Sequence, residues 1–458
     1  MGSAIVKLAI LITAVVSIFT PWVGVIASHV ISVMTPQAIW WWDFIGMRPS
    51  FDVMVPVLLG LLLAMLRGTV NWSQLNTPLN KMVALLWVFF SISFAFGPYV
   101  DVINHWRFFN PSVVYETISK VFLSYFIAAV LIDDTKKIKY LTFVIVVTFV
   151  YMTYWANFQY YINHVYGRLH GPQSITGGGI YYDQNYFAVL FVTGAPFLYF
   201  LSKQAKGKAV PVMASIIILL SWNAIFLTAS RGALLGLLMV IIVFAIRSKS
   251  KYVSLAVIAT LGLAFWHDGG SLMKKRATTI TNYSVNQSAE DRINAWKASI
   301  RMMEAHPFVG VGFASFGQAY PTYSKTHPHV AHDTFFQIGG ECGVFAGLLY
   351  LVMMGVTLNR LRKNSNRLVV LKETPEVNFY YLLSEACFYS LIGFFVCAIF
   401  LSLQAYSLWY YLLLMSNFAL LKSNDGLKGP WISNIQKEAV TNNAMHEQYC
   451  ELTGRQDA

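Results

Sequence analysis

The sequence predicts an all-α, polytopic membrane protein of about twelve transmembrane helices, with one long outer loop that carries short helices. Three observations predict it. Of 458 residues, 56% are hydrophobic and only 12% are charged, whereas a soluble globular protein carries about 25% charged residues. The apolar residues arrive in blocks of roughly 15 to 25, the length that crosses a bilayer as helix. A backbone in lipid must also satisfy its own polar groups, which favours helices over any open sheet. The formal charge of +12 does not point to nucleic acid. Most basic residues sit in short connectors between apolar blocks, where the positive-inside rule puts them. Membrane lipid is expected as a partner and nucleic acid is not.

Taken in order, residues 4–34 are apolar but interrupted by Thr20-Pro21 and Gly24, which reads as one broken span or a re-entrant pair. No small-residue cleavage site follows, so the stretch is expected to be retained. Trp40, Trp41 and Trp42 suit a membrane interface. Further spans are predicted at 53–66, 79–96, 117–132, 138–156, 183–202, 209–228, 231–247, 251–266, 333–358, 377–402 and 405–421. This divides the chain into an N-terminal bundle (1–266), a loop (267–332), C-terminal spans (333–421) and a polar tail (422–458). Three cysteines, Cys342, Cys387 and Cys397, lie in apolar runs and Cys450 in the tail, so neither a disulfide framework nor a cysteine zinc site is indicated. No internal repeat is visible, against an inverted-repeat transporter.

Orientation follows from the connectors. Arg67, Lys136-Lys137-Ile138-Lys139, Lys203 to Lys208, Arg247 to Lys251 and Arg360 to Lys372 alternate onto one side, which is therefore cytoplasmic. Both termini are expected there when the broken first stretch is counted once. The opposite, periplasmic side holds 97–116, 157–182, the tight turn from Thr228 to Arg231, and 267–332.

The loop 267–332 is the one long polar segment. It carries Lys274-Lys275-Arg276, and then Ser288 with Asp291 reads as a capping box. Ile293, Trp296, Ile300 and Met303 fall on one helical face, and the helix ends before Pro307. A Gly310-Val311-Gly312-Phe313 turn follows, and the loop closes on His327, His329 and His332 at the mouth of the next span.

Arg231 stands at the outer end of a span, in a turn too short to be a solvated loop. Arginine suits bidentate recognition of phosphate, although it also snorkels to lipid headgroups. Arg292 lies on the helix that Trp296 anchors. His332 is an imidazole beside the membrane, able to act as a base near neutral pH. The histidine spacing could hold zinc, but no acidic or cysteine ligand matches it and no zincin motif is present. Neither a metal nor a cofactor is expected.

Ser230-Arg231-Gly232-Ala233 opening a span, Asp291-Arg292-Ile293-Asn294-Ala295-Trp296, Pro307 to Phe313, and His332-Asp333-Thr334-Phe335-Phe336-Gln337 with Glu341-Cys342-Gly343 together resemble the O-antigen ligase and polymerase superfamily. The likeness covers residues 210–358. Thr20-Pro21-Trp22-Val23-Gly24, Met34-Thr35-Pro36-Gln37 and Arg168 to Phe187 resemble its branch of exosortase-associated O-glycosylation ligases. The resemblance implies an inner-membrane glycosyltransferase, as in lipopolysaccharide and polysaccharide biosynthesis. Its donor would be an undecaprenyl-pyrophosphate-linked glycan and its acceptor a hydroxyl of a glycolipid, glycan or protein at the periplasmic face. It implies that Arg231 and Arg292 bind pyrophosphate and that His332 activates the acceptor, without metal and with inversion. Asp333, Arg168, Arg301 and Trp296 are candidate supporting residues. The family commonly has Asn where Asp333 stands, and a carboxylate there could raise the His332 pKa or orient its ring. Ligation, polymerisation and protein O-glycosylation share the donor and differ in the acceptor. A transporter or lipid flippase would instead need paired ionisable groups near the bilayer midplane, where Glu385 is the main one.

Overall fold

A computed structural model of the protein describes residues 2–102, 110–172, 181–248, 250–268, 270, 273–274, 287–371 and 374–426. Among these residues every regular element is helical. The basic pair Lys275 and Arg276, and the tail from 427, lie outside the described residues.

The chain opens with α1 (Gly2–Phe19), α2 (Pro21–Met34) and the single turn α3 (Pro36–Ile39). Pro21 and Pro36 each stand at the first helical position, where proline's missing N–H is not needed. Lys7 pairs with Asp43 at 3.8 Å and Gly2 lies against Trp40. The start of α1 therefore returns beside the end of α2 and α3. The interrupted first stretch is an antiparallel helix pair, one of the two alternatives left open by its sequence.

The bundle continues with α4 (Pro49–Leu66), α5 (Pro78–Phe96), α6 (Pro111–Leu131), α7 (Thr135–Tyr161), α8 (Gln184–Ser202), α9 (Ala209–Thr228), α10 (Arg231–Arg247) and α11 (Lys251–Asp268). Outside it lie α12 (Gln287–Ala305) and α13 (Phe316–Tyr323). Then follow the short α14 (Thr334–Cys342), α15 (Val344–Leu368), α16 (Pro375–Ala398) and α17 (Ser407–Gly426). Ten helices among the described residues are long and apolar enough to cross a membrane: α1, α2 with α3, α4 to α9, α15 and α16. The stretches 231–247, 251–266 and 405–421, expected as spans, are largely helical as α10, α11 and α17 but stand outside those ten.

The expected span 333–358 is two helices. Gly343 takes φ +89°, and a Cβ there would meet the Pro307 carbonyl oxygen at 2.6 Å. Only glycine fits both the dihedral and the close approach. The break stops α14 short and lets Val344 start a separate spanning helix.

α16 and α8 form the centre, each largely buried. Ser390 of α16 donates to the Thr193 carbonyl of α8 at 2.6 Å. Gly236 of α10 takes Cys397 and Gly393 of α16 against its Cα, since small residues let spanning helices approach closely. Large apolar side chains such as Ile5, Leu8, Leu62 and Phe143 are exposed, as a lipid-facing surface requires.

The bundle has two unlike ends. At one, Thr135 donates to Glu376 at 2.7 Å and Arg247 pairs with Glu385 at 2.7 Å. This end carries the basic connectors, and Glu385 is one half of an ion pair, not an isolated bundle group. At the other, Gly97 abuts Gly312, Ser93 donates to the Glu341 carbonyl at 2.7 Å, and Ser32 meets Ser407 at 3.5 Å. The hairpin of α1 and α2 puts Gly2 at this second end. That differs from the expectation that both termini share the basic end, because the first stretch folds back on itself as two antiparallel helices.

Candidate functional site

Five separated segments meet at the end of the bundle that carries α12. The first is the segment before α8. Leu169 N–H donates to the Leu227 carbonyl at 3.0 Å, and Arg168 Nε donates to the Thr228 carbonyl at 3.1 Å. Arg168 Nη2 reaches Asn185 Oδ1 at 3.3 Å, and Asp183 caps α8 by accepting from Asn185 N–H at 2.6 Å. Arg168 is thus tied across the end of α9.

The second segment is the turn between α9 and α10. Ala229 takes φ +51°, and buried Ser230 caps α10 by accepting from Ala233 N–H. This leaves Arg231 on the first turn of α10, half-buried. A helix N-terminus carries partial positive charge and free N–H groups, so Arg231 and the helix end offer an anion the same sign of charge.

The third segment is α12, whose buried residues are Ala295, Ala298, Ser299 and Met302. Its expected apolar face was Ile293, Trp296, Ile300 and Met303, yet Ile300 is 42% exposed. The buried stripe is turned towards α13, where Ala295, Ala298 and Met302 cluster with Phe316, Ala319 and Tyr320, and Ser299 beside them faces α14. A Cβ on Gly340 would meet Ser299 Oγ at 2.9 Å, a contact that small side chains permit and bulky ones prevent. α12 begins at Gln287, so Ser288 lies inside the helix and not at its cap; its side chain is outside the described residues.

The connector between α16 and α17 is the fourth segment. A Cβ on Gly232, next to Arg231, would meet Phe400 Cβ at 3.0 Å, and the Arg292 guanidinium lies 5.9 Å from the Phe400 ring centroid. Phe400 therefore lies between the neighbourhoods of Arg231 and Arg292. Leu401 and Leu403 bind Thr334 of α14, at 2.7 and 3.0 Å, and Tyr186 donates to the Ser402 carbonyl at 2.6 Å.

The fifth segment holds His332, a non-glycine residue at φ +49°. Such a residue costs about 1–2 kcal/mol and persists only where its surroundings hold it. Burial lowers its pKa to about 4, and Arg292 and His329 push the same way against the carboxylates of Asp183 and Asp291. The imidazole is neutral at neutral pH and lies within electrostatic reach of Arg292. His329 itself lies 3.8 Å from Asp291. Among the described residues no group of three His, Cys, Asp or Glu side chains is placed to hold a metal ion.

Asp333 is placed as a helix cap, and His332 beside it shows no raised pKa. Its Oδ1 accepts from Phe336 N–H at 2.9 Å and caps α14. Burial raises its own pKa to about 6 against those backbone bonds, and His332 is shifted down, not up. Trp296 lies next to His332 in the chain's fold: its Nε1 donates to the Ala331 carbonyl at 3.0 Å, and its ring stacks on Phe336. Arg301 is not brought to the site. It is exposed and donates to the Tyr323 carbonyl at 2.7 Å, on the side of α12 opposite Arg292, since nine positions make a half-integral number of turns.

Asp183 and Phe400 are part of this arrangement without having been singled out as site residues. The Tyr182 to Phe187 stretch carried a signal for the first, in its unusual polarity at the start of an apolar block. Nothing local marks Phe400.

Residues 216–351 match the family model described as O-antigen ligase. The matched stretch contains Arg231, Arg292 and His332, and it supports a membrane enzyme of the O-antigen ligase or polymerase type. No curated protein and no solved structure matches the chain.

Proposed function

We propose that this chain, which carries the O-antigen ligase match across residues 216–351, is a glycosyltransferase of the inner membrane. It moves a glycan from an undecaprenyl-pyrophosphate donor to an acceptor hydroxyl at the periplasmic face. The observation that carries the reading is the packing of Gly232 on Phe400 with Arg292 over the same ring. It supports a site in which Arg231, next to Gly232, and Arg292, far apart in sequence, approach one side chain, with Arg292 in electrostatic reach of His332. The end without the basic connectors faces the periplasm under the positive-inside rule.

The arginines hold the pyrophosphate with charged, directional hydrogen bonds and stabilise it as it leaves. The acceptor oxygen attacks the anomeric carbon. Its proton passes to the His332 imidazole, a C–O bond forms, and the C–O bond to the lipid pyrophosphate breaks with both electrons going to the leaving group. One displacement inverts the anomeric centre. Arg292 and burial keep the free imidazole neutral, so it is ready to take a proton. Pyrophosphate oxygens lying against Arg292 offset that positive charge, and the imidazole becomes a stronger base when the donor is bound.

Deleting the gene and analysing surface glycans tests this reading and its branches. Long chains left on the carrier indicate a ligase. Single repeat units on the acceptor indicate a polymerase. Normal surface glycans with an unglycosylated secreted protein indicate transfer to protein. Unchanged glycans of every kind would contradict the proposal.

A further inference from the structure

Ala331, immediately before His332, is held at both of its backbone polar groups. Its carbonyl accepts from Trp296 at 3.0 Å, and its N–H donates to Gln337 Oε1 at 2.8 Å. The side chain of Gln337 is buried, and a glutamine amide could face either way; the surrounding network decides. Ser402 Oγ also donates to Gln337 Oε1 at 2.8 Å, and Gln337 Nε2 donates to Glu341 Oε1 at 2.7 Å. Gln337 and Glu341 are one helical turn apart on α14, so they share a face.

Glu341 is buried, and its surroundings are donors. Phe316 N–H reaches Oε1 at 3.4 Å and Gln404 Nε2 reaches Oε2 at 3.5 Å. A side chain that accepts from several directions leaves Gln337 one orientation: Nε2 towards Glu341 and Oε1 towards Ala331. Reversing the amide would set its NH2 against the Ala331 N–H. The bond would be lost, and a left-handed residue would be released from one of its two anchors.

We infer that Glu341, acting through Gln337, is a positioning residue that fixes the Ala331–His332 backbone and aims the imidazole at the arginine site. This deepens the reading of His332 as the base and rests on it for its effect on turnover.

The test uses the full-length protein, purified into lipid discs and supplied with a lipid-pyrophosphate-linked glycan and its acceptor. Glu341→Gln and Gln337→Ala should each lower kcat roughly 10- to 100-fold, the scale of a misplaced catalytic group, with the donor KM little changed. The double variant should be no worse than Gln337→Ala, because one route carries both effects. Losses that multiply in the double variant would overturn the relay. If Gln337→Ala does not insert, Ser402→Ala removes a bond to the same oxygen and should give a smaller kcat loss of the same kind; an unchanged kcat there would count against the network.

A second readout does not depend on which group is the base. Modification of His332 by diethyl pyrocarbonate, followed by mass spectrometry, should run several-fold faster in Glu341→Gln. An unchanged labelling rate overturns the clamp even if turnover falls. Faster labelling together with full turnover in His332→Ala keeps the clamp and removes the base assignment.

Discussion

Arg168 Nε donates to the Thr228 carbonyl across 3.1 Å, although the two residues are 60 positions apart. This bond joins the segment before α8 to the turn that presents Arg231. A hydrogen bond from a charged donor contributes about 1.5–3 kcal/mol. Arg168→Lys keeps the charge but loses the fork that spans Thr228 and Asn185. The donor KM should rise and kcat/KM should fall about tenfold or more, measured by steady-state transfer. An unchanged donor KM would mean that Arg168 does not set the turn.

Arg292 and Arg301 share one helix and should behave oppositely. Arg231→Lys and Arg292→Lys should each lower kcat/KM roughly 10- to 100-fold, since lysine cannot replace bidentate phosphate contacts. Arg301→Ala should leave transfer within about twofold, because its partner is the Tyr323 carbonyl. It should lower stability by about 1 kcal/mol at most, as expected for an exposed hydrogen bond. A large activity loss in Arg301→Ala with normal melting would place it at the site after all.

Asp333 should prove to be a helix cap. Asp333→Ala should destabilise by about 0.5–2 kcal/mol, whereas Asp333→Asn, which still caps, should fold normally. Burial raises the Asp333 pKa to about 6 from 3.8, so the native state favours the protonated carboxyl. Its contribution is full below the unfolded pKa and is lost as pH rises through about 6. Asp333→Asn removes that loss. Its melting temperature relative to wild type should therefore climb between pH 4 and pH 7. A difference independent of pH would contradict the assignment.

The hairpin of α1 and α2 makes a topological prediction. In a background lacking Cys450, Lys325→Cys should react with a membrane-impermeant thiol reagent applied to the periplasmic side, and Lys203→Cys should not. A tag appended at the N-terminus should be reached from that same side. Protection of the N-terminal tag would mean that the first stretch crosses only once.

Much of this architecture is written locally in the chain. The apolar blocks, Pro21, Pro36 and Pro375 at helix starts, and the polar 267–332 segment locate most elements without a structure. Arg231 and His332 stand out as candidates because each lies at a sharp boundary between an apolar run and a turn. The buried face of α12 was not legible, because Ala295, Ala298 and Ser299 are only weakly apolar, yet Ala295 and Ala298 join a buried cluster with Phe316 and Tyr320 and Ser299 lies against Gly340. Gly343 looked like one glycine in a long span, and only its φ of +89° shows it as a break. The part played by Phe400 was hidden for a different reason. Its partners, Gly232 and Arg292, are distant in sequence, and no periodicity records a contact of that range.

The base assignment is the centre of the account. The direct measurement is the transfer rate of purified, normally inserted His332→Ala at saturating donor, alongside its donor binding. General-base catalysis is typically worth about 10²–10⁴-fold, so turnover should fall by that amount while the donor still binds. Near-wild-type turnover in a correctly inserted His332→Ala protein would contradict it.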